Sequence, residues 1–245
     1  MATPTRVAVV LSGCGVFDGA EIHESVLTLL ALNRRGVEYQ CFAPDVPQRH
    51  VVNHITGEEM DETRNVMVES ARIARGAILP LADYNPAEFD AIMFPGGFGA
   101  AKNLCSFAFD GPNCTVEPST ERAILATKAA GKPIGALCIS PALMVKVLGN
   151  VSVTIGSDPG TAEAIEAMGG DHMETTHGGV VVDREARLAT TPCYMLEATV
   201  SQIADGADNV VAAVLEMAGK TPRQEVEEDA NDIAAAALVS ALGRQ

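Results

Sequence analysis

Cys138 stands where an apolar run, Lys132-Pro133-Ile134-Gly135-Ala136-Leu137, gives way to a helix-forming run, Ile139-Ser140-Pro141-Ala142-Leu143-Met144. A short strand followed at once by a helix puts the residue between them on a tight turn. A cysteine there projects into the cleft at the strand end and faces the unpaired N–H groups of the first helical turn, which favour a thiolate and an oxyanion. A cysteine between apolar neighbours also fits a small buried hydrophobe, the commoner role for a lone one. Local context alone leaves the two readings level.

Other residues could serve such a nucleophile. Pro95-Gly96-Gly97-Phe98-Gly99 follows the apolar run Asp90-Ala91-Ile92-Met93-Phe94. Its glycines let the backbone approach a ligand, so that the Gly97 N–H could pair with the Ile139 N–H to hold an oxyanion. The loop Ser12-Gly13-Cys14-Gly15-Val16-Phe17-Asp18-Gly19 opens a helix carrying Glu21, His23 and Glu24. Neither glycine cluster has the spacing of a nucleotide-binding loop. Glu21 and Glu24 both suit the first turn of a helix on dipole grounds alone. His23-Glu24 lacks the second histidine of a zinc-protease motif, and no metal site is expected.

These positions depend on the elements around them. Val7 to Leu11, Val37 to Ala43, Asp90 to Phe94, Lys132 to Leu137 and Val151 to Ile155 read as strands. Between and after them, helical periodicity appears at Glu21 to Arg35, Asn65 to Arg75, Pro118 to Ala130, Thr161 to Met168 and Tyr194 to Ala218, with a hairpin at Gly179 to Thr190 turning at Asp183-Arg184-Glu185. Strands alternating with helices predict an α/β fold with a mostly parallel sheet covered on both faces. Ligands bind at the carboxyl ends of such strands, where Ser12, Pro95 and Cys138 all fall, and this convergence favours the nucleophile over the buried hydrophobe.

Composition bounds the class. A chain of 245 residues with 47% hydrophobic residues can bury one sizeable core, and one domain over 1–219 is the economical reading. The segment 220–245 is acidic and then alanine-rich, and fits either a loosely attached helix from Ile233 to Leu242 or a solvated appendix. Six scattered cysteines without a C-x-x-C pair predict a reducing, cytoplasmic setting. The absence of a charged leader or of an apolar run of about eighteen residues predicts neither export nor a membrane partner. A net charge of −15 with no basic cluster predicts no nucleic-acid partner.

Several stretches resemble a known family. Val10 through Glu24, Cys41-Phe42-Ala43-Pro44-Asp45, Asn53 to Glu58, Glu62 to Val66, Pro95 to Leu104 and Thr190-Thr191-Pro192 are similar to the ElbB proteins, bacterial glyoxalases also called isoprenoid-biosynthesis proteins with an amidotransferase-like domain. The resemblance covers residues 6 to about 218. It implies a flavodoxin-like three-layer sandwich of the class I glutamine amidotransferase-like superfamily, beside the Parkinsonism-associated deglycase and the PfpI-type proteases. In the deglycase branch a glutamate early in the first helix hydrogen-bonds the elbow cysteine. Counting back from Arg34-Arg35-Gly36 aligns that glutamate with Glu24 rather than Glu21.

The resemblance implies a cofactor-independent glyoxalase, with glyoxal or methylglyoxal as a small reactive dicarbonyl substrate, Cys138 as nucleophile and Glu24 as the group that moves the proton. It also implies deglycase-like repair of early glycation adducts and a homodimer. A protonated Glu24 beside the helix N-terminus would pull the Cys138 thiol below its free value of about 8.5. The chain departs from its relatives in two places. Ile139 stands where PfpI-type proteins have histidine, and Ser157-Asp158 where the deglycases have one, so Asp158 either polarises the site or caps a turn. His172-Met173-Glu174 has amidotransferase spacing but precedes the hairpin, and His177 beside Gly178-Gly179 is equally well explained as a surface residue. Two alternatives stay open, a redox protein with an oxidisable elbow cysteine and an amidotransferase-like subunit.

Overall fold

The structure, a computed structural model, describes residues 4–220. The expected tail helix lies outside the described residues. Within them, nine strands and eight helices alternate: β1 Arg6–Val10, α1 Ile22–Arg34, β2 Glu38–Ala43, α2 Val66–Ile73, β3 Ile78–Pro80, β4 Ala91–Phe94, α3 Phe98–Lys102, α4 Phe107–Asp110, α5 Pro118–Ala129, β5 Ile134–Leu137, α6 Ser140–Leu148, β6 Ser152–Val153, α7 Pro159–Ala167, β7 Asp171–His172, β8 Val181–Asp183, β9 Leu188–Thr191 and α8 Val200–Met217.

Seven strands form one sheet in the order β3-β2-β1-β4-β5-β9-β8, parallel throughout except for the edge pair β8–β9. Strand residues alternate between the faces. Val7, Val9 and Leu11 pack with α1 and α8, whereas Ala8 and Val10 pack with the layer that holds α5 and α6. This is the expected three-layer α/β sandwich of flavodoxin-like form. The chain reverses its direction of travel across the sheet between β1 and β4, so the ends of β1, β4 and β5 border the crevice where such sheets take ligands. Among the described residues, no helix is long and apolar enough to cross a membrane.

Three details depart from the sequence expectation. The strand at Val151 to Ile155 leaves the main sheet, and only Ser152–Val153 pairs, with β7, in a separate two-stranded ribbon. The last helix begins at Val200 rather than Tyr194, because Thr199 and Gln202 form a reciprocal capping box and Cys193–Met195 is a separate 3-10 turn. In α1 the apolar repeat Ile22, Val26 and Leu30 faces solvent, while Glu24, Ser25, Thr28, Leu29 and Leu32 face inward. A helix that turns a glutamate and two hydroxyl residues inward is supplying something other than packing at that end.

Candidate active site

Cys138 follows β5 and adopts φ = 60°, the left-handed region that a non-glycine residue enters at a cost of about 1–2 kcal/mol. The surroundings hold it there. Its N–H donates to the Thr191 carbonyl at the end of β9 (2.9 Å), and the hydroxyl of Ser140, two residues on, donates to the Pro95 carbonyl (3.0 Å). The N–H groups of Gly97 and Ile139 both point at the cysteine sulfur. Cys138 is only 7% exposed.

Glu24 is fully buried. Its Oε2 accepts the Gly96 N–H (2.9 Å), its Oε1 accepts the Tyr194 N–H (3.2 Å), and it shares a further hydrogen bond with the Cys138 side chain. Glu21 plays a different part. It is the N-cap of α1, and its carboxylate accepts the Glu24 N–H (2.7 Å). The β4 turn is pressed against this pair. Gly97 has φ = 92°, and a side chain on it would collide with the Glu21 N and the Gly19 carbonyl, so only glycine fits. The Glu21 N–H in turn donates to the Gly96 carbonyl (2.9 Å).

Burial sets the charge state. It pushes the Glu24 carboxyl up to about 8, with the neighbouring Glu21 charge adding to the effect, against the opposing N–H groups and the Cys138 contact. The Cys138 thiol also moves up, first by burial and then by the Glu24 charge, despite the two N–H groups that favour the thiolate. The expected fall of the Cys138 pKa is therefore reversed, because the helix N-terminus is visible locally but the loss of solvent outweighs it. At neutral pH Glu24 holds a proton beside a neutral thiol. The pair loses its first proton near pH 8, and the remaining one is shared.

The structure brings Cys138, Glu24, Gly97 and Ile139 together and leaves Asp158 out. Asp158 is exposed, and its carboxylate accepts the Thr161 N–H (2.8 Å) as the N-cap of α7. The Thr161 hydroxyl and N–H hold its carboxyl below the usual range. Among the described residues no hydrogen bond ties a histidine to Cys138: His23 pairs with the Tyr194 hydroxyl (2.8 Å), His172 accepts the Ile155 N–H and His177 bonds the Glu197 carbonyl. Nor do the described residues contain a cluster of three or more His, Cys, Asp or Glu able to hold a metal.

Sequence reasoning missed Gly96 and Tyr194, which act through backbone N–H groups and carry no side-chain signal. It also missed Cys193, a buried thiol at φ = 42° in the same apolar cluster as Cys138. The run Thr190-Thr191-Pro192 just before it was the one pointer.

No family model matches the chain. The chain is 50% identical over 225 residues to a Homo sapiens protein, glutamine amidotransferase-like class 1 domain-containing protein 3, mitochondrial, covering 88% of this chain and 84% of that one. It is 48% identical over 225 residues to the ES1 protein homolog, mitochondrial, of Rattus norvegicus, covering 88% and 85%. A crystal structure of an isoprenoid biosynthesis protein with amidotransferase-like domain from Ehrlichia chaffeensis superposes with a TM-score of 0.80 at 39% identity, over 86% of this chain and 99% of that one. A DJ-1 superfamily protein from Salmonella typhimurium shares the fold at 21% identity and a TM-score of 0.56, over 94% of this chain and 98% of that one. The expectation of a cytoplasmic location is overturned by the curated relatives, whose names place them in mitochondria; scattered cysteines indicate a reducing compartment without saying which. With half its residues shared across nearly the whole domain, the chain belongs to the ES1 and ElbB-type family of glutamine amidotransferase-like class 1 domain proteins, within the wider DJ-1/PfpI-like fold.

Proposed function

We propose that the protein is a cofactor-independent glyoxalase acting on small dicarbonyls, glyoxal first, with a product of the hydroxy-acid class. The observation that carries this reading is a fully buried carboxyl, protonated up to about pH 8, in hydrogen-bond contact with a cysteine on a strained strand-to-helix turn. Such a pair can form a carbon–sulfur bond and then move a proton on the same substrate.

In the singly deprotonated pair, the Cys138 sulfur adds to one aldehyde carbon, and the carbonyl oxygen takes up the proton that Glu24 holds. Glu24, now ionised, removes the hydrogen from the carbon bound to sulfur and returns it to the neighbouring carbon, while the hydroxyl proton passes to that neighbour's oxygen. The hemithioacetal thereby becomes a thioester of a hydroxy acid. Water attacks the thioester, the carbon–sulfur bond breaks, and the hydroxy acid leaves with Cys138 and Glu24 again sharing one proton. The Gly97 and Ile139 N–H groups stabilise negative charge on sulfur and on the adjacent substrate oxygen. Repair of early glycation adducts would use the same addition step.

The lack of a histidine bond to Cys138 among the described residues disfavours the amidotransferase-subunit reading, since glutamine hydrolysis by a Cys-His pair needs that contact. The upward shift of the thiol disfavours a role as an easily oxidised thiolate. Intact-mass and peptide analysis of the protein quenched during turnover of glyoxal tests the proposal. A glyoxal-derived adduct on Cys138 that decays as substrate is exhausted is the expected result; turnover with Cys138 unmodified and unneeded would refute it. A homodimer is proposed with it and is checked by light scattering.

A further inference from the structure

Cys105 and Cys114 lie outside the Cys138 site, and the proposed glyoxalase reaction uses neither. A short antiparallel contact brings them together: Cys105 bridges Val116, the Ser106 N–H donates to the Thr115 carbonyl (2.9 Å), and the Thr115 N–H returns a bond to Ser106 Oγ (2.9 Å). Side chains alternate along an extended chain, so Cys114, two residues before Val116, shares the face of Cys105. The two thiols hydrogen-bond each other, and both are reduced. Lys146 of α6 fixes the segment between them by donating to the Pro112 carbonyl (3.0 Å).

The pair is chemically unequal. The Cys105 S–H donates to the Ala100 carbonyl (3.4 Å), and its sulfur lies beside that of Cys114. The contact between the two thiols eases ionisation of Cys114 and opposes that of Cys105, and the Lys146 charge favours a thiolate on either. Both are nearly covered, but a cavity of about 390 Å³ opens against Cys105 between Arg49, Ser106, Phe109 and Thr115.

We propose that Cys105 and Cys114 form a redox-active dithiol that a hydroperoxide closes to an intrachain disulfide. One thiolate of the pair attacks a peroxide oxygen, the O–O bond breaks, and hydroxide (or alkoxide) leaves, oxidising that sulfur to a sulfenic acid. The sulfur of the other cysteine then attacks it, its proton passes to the departing hydroxyl, and water leaves as the S–S bond forms. Two thiols lose two hydrogens and one peroxide is reduced. Nothing in this depends on Cys138 or Glu24.

The test titrates the full chain with hydrogen peroxide, blocks remaining thiols under denaturing conditions and digests without reduction. The expected result is two fewer blocked thiols than in the untreated chain and a single linked peptide pair joining Cys105 and Cys114. The Cys114→Ala variant should lose the link and Cys138→Ala should keep it. Cys105 and Cys114 both remaining open to alkylation after treatment with excess peroxide, or a link that joins either to a different cysteine, would overturn the proposal. The wild-type measurement decides the matter even if a variant fails to fold.

Discussion

Gly96 is the point at which Glu24 and Cys138 meet: a Cβ placed on it would overlap the Cys138 Cβ and lie 2.7 Å from Glu24 Oε2. The acid and the nucleophile thus share a wall that exists only because one residue has no side chain. Its N–H orients the acid (2.9 Å), and its carbonyl ties the turn to the start of α1.

Gly96→Ala is expected to abolish aldehyde turnover and to destabilise the fold by about 1–3 kcal/mol, the usual cost of forcing an extra methyl into a packed site. The Cys138 Cβ and the Leu137 carbonyl that the methyl would also meet are fixed to the backbone and cannot swing aside. Thermal unfolding and glyoxal turnover of the purified variant check this; a variant with both properties unchanged would show that Glu24 and Cys138 are not in contact.

Glu24→Gln is expected to slow turnover by roughly a hundredfold or more, the range for losing a positioned acid/base group, while the protein stays folded. Glu21→Gln should keep most activity, since Glu21 caps α1 and touches the site through the Glu24 N–H. It should lower the pH midpoint of activity, because the Glu21 charge helps to raise Glu24. Initial rates of the two variants across pH separate the roles. The reverse pattern would exchange the two glutamates.

The raised Glu24 pKa also has a sign in stability. The folded protein keeps this proton up to about pH 8, whereas the unfolded chain gives it up near 4.5, so the native state binds more protons in that window and stability falls as pH rises through it. Gln carries no such proton. The stability difference between Glu24→Gln and wild type should therefore move in favour of the variant between about pH 5 and about pH 9, by an amount on the order of a few kcal/mol. Denaturant melts at the two pH values read it, and a difference independent of pH would mean that Glu24 is ionised in the native state.

Alkylation of Cys138 follows the same pair. Iodoacetamide labelling should be slow at neutral pH and still climbing with pH above about 8, because burial and the Glu24 charge hold the thiol up. Rapid labelling that no longer changes between about pH 6 and about pH 8 would restore a low-pKa thiolate and contradict the burial argument.

How much of this could be read beforehand depended on what each residue does. The elbow at Cys138 was legible because a short apolar strand and a helix abut with almost nothing between them, and the β4 turn because Pro95-Gly96-Gly97 punctuates an apolar run. Glu24 was separated from Glu21 only by counting from the helix end, since both suit a first turn. The Tyr194 N–H was not legible, as a backbone donor depends on where the chain passes rather than on side-chain type. The outward stripe Ile22, Val26 and Leu30 shows the limit of periodicity: it identified a helix and said nothing about which face turns in. Asp158 followed ordinary capping chemistry, and the rise in the Cys138 pKa came from burial, which neighbours in sequence do not report.

Aldehyde chemistry on Cys138 with no added cofactor is decided by the initial rate at which carbon-13-labelled glyoxal becomes labelled glycolate. The conversion is followed by NMR without added thiol, for wild type and for Cys138→Ala confirmed as folded. The predicted result is steady glycolate formation by the wild type and a rate indistinguishable from buffer for the variant; equal rates in the two proteins, or none in either, would contradict it.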